Sequence, residues 1–297
     1  MSFKSRMHRF RELTPRDFRI LLAVEAGMER HKFVPASTVF EYSNIPPSEA
    51  EHRLNGILRL RLLTRTSAPY EGYSLNYAGY DFLALNAFVK ADILESLGQS
   101  IGVGKEADVY EAILASQRRA ALKFHRLGRI SFRQTKKVRP YGGAESTWLF
   151  KSRRAASREF EALGMLHKSG LPVPEPIMHN RHAVLMGEII GIQASQLKRL
   201  PTPRRYLIEI LSIIRRAYCE AGVVHGDLSE FNILIQPDGK VLIIDWPQYV
   251  NRDHPSAERL LRRDIANVVE SFRRRYGVRM DLRKAEEFVS GLRSELN

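Results

Sequence analysis

Asp227, Asn232 and Asp245 are the side chains whose types and spacing could do chemistry together in this 297-residue chain. They lie in Val223–Trp246, where His225-Gly226-Asp227 is followed by Leu-Ser-Glu-Phe and then Asn232. Two apolar, β-branched runs, Asn232–Ile235 and Val241–Ile244, flank Pro237-Asp238-Gly239-Lys240, the composition of a hairpin with a four-residue turn. Pairing those runs returns the chain to its start and brings Asp245 back beside Asn232. A carboxylate beside an amide oxygen suits Mg²⁺, which prefers hard oxygen ligands. Singly, the acids would read as turn formers at strand ends and His225 as a core imidazole. Together they face one cavity and point to phosphoryl-transfer chemistry.

Upstream elements must supply the rest of a phosphate site. Ile101-Gly102-Val103-Gly104-Lys105 leads through Val109 into a strand, and its glycines let backbone approach a phosphate, although such a pair also makes a plain hairpin turn. Ala120–Phe124 follows at the interval of the next antiparallel strand and sets Lys123 in apolar surroundings, where a cation is costly unless paired. A nucleotide phosphate and the Glu159 carboxylate would offset that cost. The spacing predicts a helix over Ala155–Lys168 with Ala156, Phe160 and Leu163 buried and Gly170 ending it. Glu161 is the competing acid, on a different face. Leu171–Ile177 is extended, Ala183–Met186 is a buried strand, and Gly187-Glu188-Ile189 follows it. Tyr206–Ala221 is an amphipathic helix that supports the catalytic loop from below. After Asp245 the chain passes through Trp-Pro-Gln-Tyr-Val into a basic helix, Ala257–Tyr276, and a last one, Arg283–Leu296.

The first 90 residues form a separate domain in this reading. Thr14-Pro15 before Phe18, Leu21 and Leu22 gives an N-cap, a Pro at the first helical position and an apolar stripe. A second helix covers Pro35–Tyr42. Pro46-Pro47 begins a third, with Ala50, Leu54, Ile57 and Leu58 inward and Arg53, Arg59 and Arg61 on or near the outer face. Leu62–Thr66 and Tyr73–Asn76 make a hairpin, and three helices followed by a hairpin resemble a winged helix, a fold that serves nucleic-acid grooves and protein docking alike. A helix over Tyr77–Ile93, with Tyr80, Leu83, Leu85 and Phe88, joins this domain to the next by packing.

Composition narrows the partners. The formal net charge of +14 and a pI of about 10.0 favour a polyanion, nucleic acid first among them. Candidate contacts are Arg53, Arg59 and Arg61 together with Lys136, Lys137 and Arg139 of the basic stretch 126–154, whose Ser131, Thr135, Ser146 and Thr147 are candidate phosphorylation sites. No apolar run reaches the roughly 20 residues of a membrane span, and the N-terminal residues lack the core of a signal peptide, so a cytoplasmic protein without a membrane is expected. The single cysteine, Cys219, can have no disulfide partner within the chain and is read as packed inside a helix.

The spacing of Asp227 and Asn232 resembles the catalytic loop of protein kinases, in which the Asp accepts the substrate proton and the Asn holds a metal ion. More specifically, Gly104-Lys-Glu-Ala-Asp-Val-Tyr110, Leu122-Lys123, Glu159-Phe160, Pro172-Val-Pro-Glu-Pro-Ile177, His225-Gly-Asp-Leu-Ser-Glu-Phe-Asn232 and Ile244-Asp-Trp-Pro-Gln248 resemble the RIO family of atypical kinases. The N-terminal winged helix and Trp-Pro-Gln resemble its winged-helix-bearing subfamily, and the end of the chain soon after the kinase domain gives an archaeal-type expectation. The implied fold is α+β: a winged helix over 1–90 with its linking helix reaching about 95, then a bilobal kinase-like domain over 96–297 (lobes 96–186 and 190–297) without activation segment or peptide-docking lobe. Against ordinary kinases, Ala107 replaces the third loop glycine and Gly226 the catalytic Arg.

The implied function is an ATP-dependent serine/threonine kinase and ATPase with Mg²⁺ or Mn²⁺. It autophosphorylates, forms a phosphorylated Asp245 and acts on the small ribosomal subunit and its pre-rRNA. The implied roles are Asp227 and Asp245 in catalysis, Asn232 and Asp245 on the metal, Lys123 on the α/β-phosphates and Glu159 orienting Lys123. Met186 would limit the adenine pocket, with Gly187, Glu188 and Ile189 as its hinge. The rival readings are an aminoglycoside-type small-molecule phosphotransferase and a nucleic-acid-binding protein with an inactive kinase scaffold.

Overall fold

Thr14 shows how local chemistry starts an element here: its Oγ accepts from the Asp17 N–H, and the Asp17 carboxylate accepts from the Thr14 N–H at 2.8 Å, a reciprocal cap that satisfies two orphan donors. The computed structural model describes residues 3–127 and 148–296, with side chains from His8 onward. It divides into two compact units, Met1–Arg154 with Asn180–Ala183, and Ala155–His179 with Val184–Asn297.

The first unit opens with α1 (Phe3–Glu12), α2 (Pro15–Gly27), β1 (Val34–Pro35), α3 (Ala36–Ser43), α4 (Pro47–Arg59), β2 (Leu63–Thr66) and β3 (Gly72–Leu75). The expected hairpin forms in register from Leu63↔Leu75 to Thr66↔Gly72, and Val34 and Pro35 add a short third strand on its other edge. That strand was not legible locally, because a two-residue pairing carries no periodic signal. On α2 the buried face is Phe18, Ile20, Leu21, Ala23 and Val24, whereas Leu22, expected within the stripe, is exposed.

Helix α5 (Tyr77–Lys90) is capped by Asn76, whose side chain accepts from the Ala78 and Gly79 N–H groups. It ends three residues short of the expected Ile93, since Asp92 takes a left-handed φ of 53°. Tyr80 to Leu85 are buried without a break, so the helix is covered on all sides. Phe82 meets Phe10 at 5.4 Å on one side, while Asp81 meets Arg126 on another. The antiparallel strands β4 (Leu94–Val103), β5 (Ala107–Leu114) and β6 (Arg119–His125) complete this unit. Compaction therefore runs straight across the element boundary near residue 90, because α5 is core to the strands as well as to the winged helix.

The division of units falls inside α6 (Trp148–Lys168), which begins seven residues before the expected Ala155. Strands β7 (Pro176–Asn180) and β8 (Ala183–Gly187) follow, the latter buried throughout. In the second unit, β9 (Ile192–Gln193), α7 (Pro203–Cys219), β10 (Val223–Val224), β11 (Ile233–Ile235), β12 (Val241–Ile243), β13 (Val250–Asn251), α8 (Ala257–Tyr276) and α9 (Leu282–Val289) come in order. The small sheet runs β12-β11-β9, and β10 pairs with β13. Leu207, Ile210, Leu211 and Ile214 of α7, Ile265, Val268, Val269 and Phe272 of α8, and Ala285, Phe288 and Val289 of α9 fill the core. Helix α9 stops well before the expected Leu296. Cys219, expected inside a helix, is exposed as the last residue of α7.

Candidate active site

Strand β10 delivers His225, and helix α8 holds the loop that follows. His225 is buried; its Nε2–H donates to the Ile244 carbonyl at 3.1 Å, its Nδ1 accepts from the Asp227 N–H at 3.3 Å, and its ring lies 4.5 Å from Trp246. That is a neutral imidazole, and burial holds its pKa low although the Asp245, Asp227 and Glu159 carboxylates pull the other way. Gly226 has a φ of +79°, and a Cβ there would lie 2.6 Å from the Gln248 carbonyl oxygen, so no side chain fits. Asp264 accepts from the Gly226 N–H at 2.7 Å and from the Leu228 N–H at 3.1 Å. Asn267 donates to the Leu228 carbonyl at 3.1 Å, and Arg263 donates to that of Gly226. Burial lifts the Asp264 carboxyl to about 6 against the pull of the two amides.

This grip presents Asp227, whose side chain is 72% exposed. Asn232 Nδ2 donates to the Asp227 carbonyl at 3.0 Å, which turns Oδ1 to the other side of the amide plane. The hairpin forms as expected, Ile233↔Ile243 to Ile235↔Val241, and the Ile244 N–H donates to the Asn232 carbonyl at 3.0 Å. Asp245 thus returns beside Asn232, in a left-handed φ of 70° that costs a non-glycine residue roughly 1–3 kcal/mol.

The strain is held from behind. Trp246 is buried and donates to the Ile243 carbonyl at 3.2 Å. Arg158 donates to the Pro247 carbonyl at 3.0 Å and to that of Tyr249, and its guanidinium lies 4.6 Å over the Tyr249 ring. Tyr249 in turn donates to Glu161 at 3.2 Å. Glu161 is therefore committed to the segment after Asp245, while Glu159, buried at 1% exposure, is the inward acid of α6. Phe160, expected in the buried face, is only half-buried and packs 4.8 Å from the His179 ring.

An amide oxygen and a carboxylate are the donors that Mg²⁺ takes, the rest of its shell coming from water and substrate phosphate. Among the described residues no group of three or more His, Cys, Asp or Glu side chains offers a cage made by the protein alone. Asn232 and Asp245 fit such a partial shell.

In the first unit, Ile101, Gly102 and Val103 belong to β4 and are not loop; the turn itself is Gly104-Lys105-Glu106, closed by the Gly104 N–H donating to the Ala107 carbonyl at 2.8 Å. Val103 is 70% exposed. Lys123 is buried in β6 directly opposite Val109 of β5. The next turn outward carries a charge network that the sequence did not disclose. Arg126, 2% exposed, donates to both oxygens of Asp81, at 2.5 and 2.9 Å, and to Asp108 at 2.9 Å. Its backbone N–H also donates to the Glu106 carbonyl at 2.6 Å, so one residue holds the Gly104–Asp108 turn through its backbone at Glu106 and its guanidinium at Asp108. His182 Nε2 lies 2.8 Å from Asp81. Burial disfavours the Asp81 carboxylate, yet Arg126 and His182 overturn that and lower its pKa; burial pushes His182 down to about 4.

Met186 is buried, and the Gly187 N–H is taken by the Glu175 carbonyl at 2.8 Å, so Gly187 offers its carbonyl side. Glu188 and Ile189 are half-buried. Arg53 is not the outward cation expected: it bonds Glu49 at 2.8 Å and Asp17 at 2.9 Å. Arg59 and Arg61 are exposed. Lys136, Lys137 and Arg139, with Ser131, Thr135, Ser146 and Thr147, lie outside the described residues. Sequence reasoning missed Asp264, Arg263, Asp81 and Arg126. The signal for Asp264 was a carboxylate inside the apolar stripe Leu261, Ile265, Val268, and for Asp81 one inside Tyr80–Leu85.

Comparison with known proteins agrees with this architecture. Residues 108–285 match the RIO domain family, and residues 10–91 match the family described as Rio2, N-terminal. The serine/threonine-protein kinase rio2 of Schizosaccharomyces pombe is 38% identical over 290 residues, 97% of this chain and 84% of the relative. The RIO-type serine/threonine-protein kinase Rio2 of Methanocaldococcus jannaschii is 39% identical over 277 residues, 89% of this chain and 100% of the relative. A crystal structure of the Rio2 kinase-ADP/Mg²⁺-phosphoaspartate complex from Chaetomium thermophilum superposes with a TM-score of 0.82 at 33% identity, covering 94% of this chain and 88% of that one. With a family match over most of its length and relatives of this similarity, the chain belongs to the RIO kinase family, in its Rio2 group.

Proposed function

We propose that this chain is an ATP- and Mg²⁺-dependent serine/threonine phosphotransferase that autophosphorylates and takes part in maturing the small ribosomal subunit. The observation that carries the phosphoryl-transfer reading is the convergence of Asp227, Asn232 and Asp245 at one end of the hairpin, tied by the Asn232–Asp227 and Ile244–Asn232 hydrogen bonds. The serine/threonine kinase names of its relatives favour a protein acceptor over a small-molecule one. Lys123 holds the nucleotide phosphates, Asp227 positions or deprotonates the acceptor, and Asn232 and Asp245 hold Mg²⁺, which when bound screens the phosphate charge.

The phosphoaspartate of the C. thermophilum complex supports a second acceptor. In this chain an Asp245 oxygen attacks the γ-phosphorus, the bond to the β-phosphate oxygen breaks and ADP leaves; water then cleaves the acyl phosphate to restore Asp245 and release phosphate. Incubation with γ-labelled ATP should give a hydroxylamine-sensitive phosphoprotein, absent in Asp245→Ala. Label of that kind persisting in the variant would sink the assignment.

The ribosomal partner rests on charge. Besides Arg59 and Arg61, exposed cations at Lys198, Arg199, Arg204, Arg205 and Arg279 suit an RNA backbone. Binding to a structured RNA should weaken steeply with salt, and a flat salt titration would remove RNA from the reading.

A further inference from the structure

The residue before Asp227 cannot carry a side chain, because Gly226 combines a φ of +79° with a Cβ position 2.6 Å from the Gln248 carbonyl oxygen. The catalytic loop therefore cannot furnish its own cation beside the catalytic acid. Helix α8 brings one from outside. Arg263 donates from Nη2 to the Gly226 carbonyl, and the same nitrogen lies 4.0 Å from Asp227 Oδ1. Its neighbours on α8 already fix the backbone: Asp264 takes the amides of Gly226 and Leu228, and Asn267 takes the Leu228 carbonyl. Asp264 is buried, whereas Arg263 is 45% exposed and lies against the Asp227 carboxylate.

An ion pair as open as this one adds little to folding stability. Its geometry has another use: a planar guanidinium that bonds the loop and faces the carboxylate confines the carboxylate to few orientations. We infer that Arg263 is a positioning residue for Asp227, supplying from helix α8 the arginine that the loop itself cannot hold. The inference rests on the phosphoryl-transfer reading above, and it adds a residue to which that reading assigns no part.

The test is steady-state ATP turnover with Mg²⁺ and ADP binding by calorimetry, on the full chain. Arg263→Gln should lower kcat about 10- to 100-fold, while KM for ATP and the affinity for ADP stay within about twofold. Arg263→Lys, which keeps the charge but cannot bond the Gly226 carbonyl and face Asp227 in one plane, should recover part of the loss. In an Asp227→Asn background, Arg263→Gln should cost nothing further, since a residue that acts through Asp227 has nothing left to act on.

Wild-type kcat in Arg263→Gln overturns the inference, as does a full, additive loss in the double variant. A parallel collapse of ADP affinity would mark a structural role and overturn it too. If Arg263→Gln does not fold, the Lys variant decides on the same readouts: unchanged kcat refutes. A wild-type chain with no ATP turnover would instead sink the phosphoryl-transfer reading itself.

Discussion

The two compact units hold their turns at Gly104–Asp108 and His225–Leu228 by opposite means. In the first, a buried arginine with paired carboxylates ties the Gly104–Asp108 turn to α5, so charged side chains from residues 81, 108 and 126 share one desolvated spot. In the second, the His225–Leu228 loop is held through its own peptide groups by Asp264, Asn267 and Arg263, with Gly226 giving the room. The difference is in what failure costs. A network of buried charges is expensive to leave half-made, whereas a backbone cradle loses one hydrogen bond at a time. The first device rigidly joins distant segments; the second sets orientation, which chemistry reads more sensitively than stability does.

The largest effect should therefore come in activity, from the presented group itself. Asp227→Ala should cost about 10²–10⁴ in turnover with ATP affinity nearly intact; steady-state kinetics beside calorimetry checks it, and lost affinity would reassign the residue. The largest effect on folding should fall in the other unit. Asp81→Ala leaves buried Arg126 with Asp108 alone among the described carboxylates and takes the carboxylate from His182, and should destabilise by about 3–5 kcal/mol in urea denaturation. Asp81→Leu with Arg126→Met and Asp108→Leu, which removes all three charges, should recover much of that, and no recovery would break the contrast between the two units.

Titration sharpens the comparison in one window. The Asp264 carboxyl is raised to about 6, so the stability it contributes is fully present below its ordinary value of 3.8 and is lost as pH rises through 6. His182 is lowered to about 4, so its contribution is present above 6.5 and is lost as pH falls through 4. Between roughly pH 4 and 6.5 the two oppose each other. The stability difference between wild type and Asp264→Asn should accordingly shrink as pH rises across that range, by up to about 3 kcal/mol. A difference that grows would reverse the assignment. The smallest effect is expected at the surface: Arg59→Gln with Arg61→Gln should reduce the salt slope of RNA binding by about 1–2 and leave turnover unchanged.

Much of this was readable one segment at a time. The Pro237–Lys240 hairpin, the Thr14 cap, the presence of α7 (Pro203–Cys219 where Tyr206–Ala221 was expected), the span of α8 and the choice of Asp227, Asn232 and Asp245 as candidates all follow from periodicity, turn composition and spacing over a few residues, where the signal is local. Even the return of Asp245 to Asn232 needed only strand pairing across a short turn. What could not be read was which buried charge would find which partner. Helix face alone separated Glu159 from Glu161 in the sequence; the bond from Tyr249, 88 residues away, to Glu161 came only with folding. Asp264 looked like one acid of a basic helix until folding brought Gly226 and Leu228 to it, and Arg126 had no visible reason to be buried until Asp81 met it 45 residues away.

The sequence by itself thus determined most of the elements and which residues would be candidates for chemistry, because hydrogen bonding and hydrophobic period act between near neighbours. The tertiary structure alone decided the supports behind them. A charge or amide leaves water only when its partner arrives, and that partner is set by the packing of whole elements, not by adjacency in the chain.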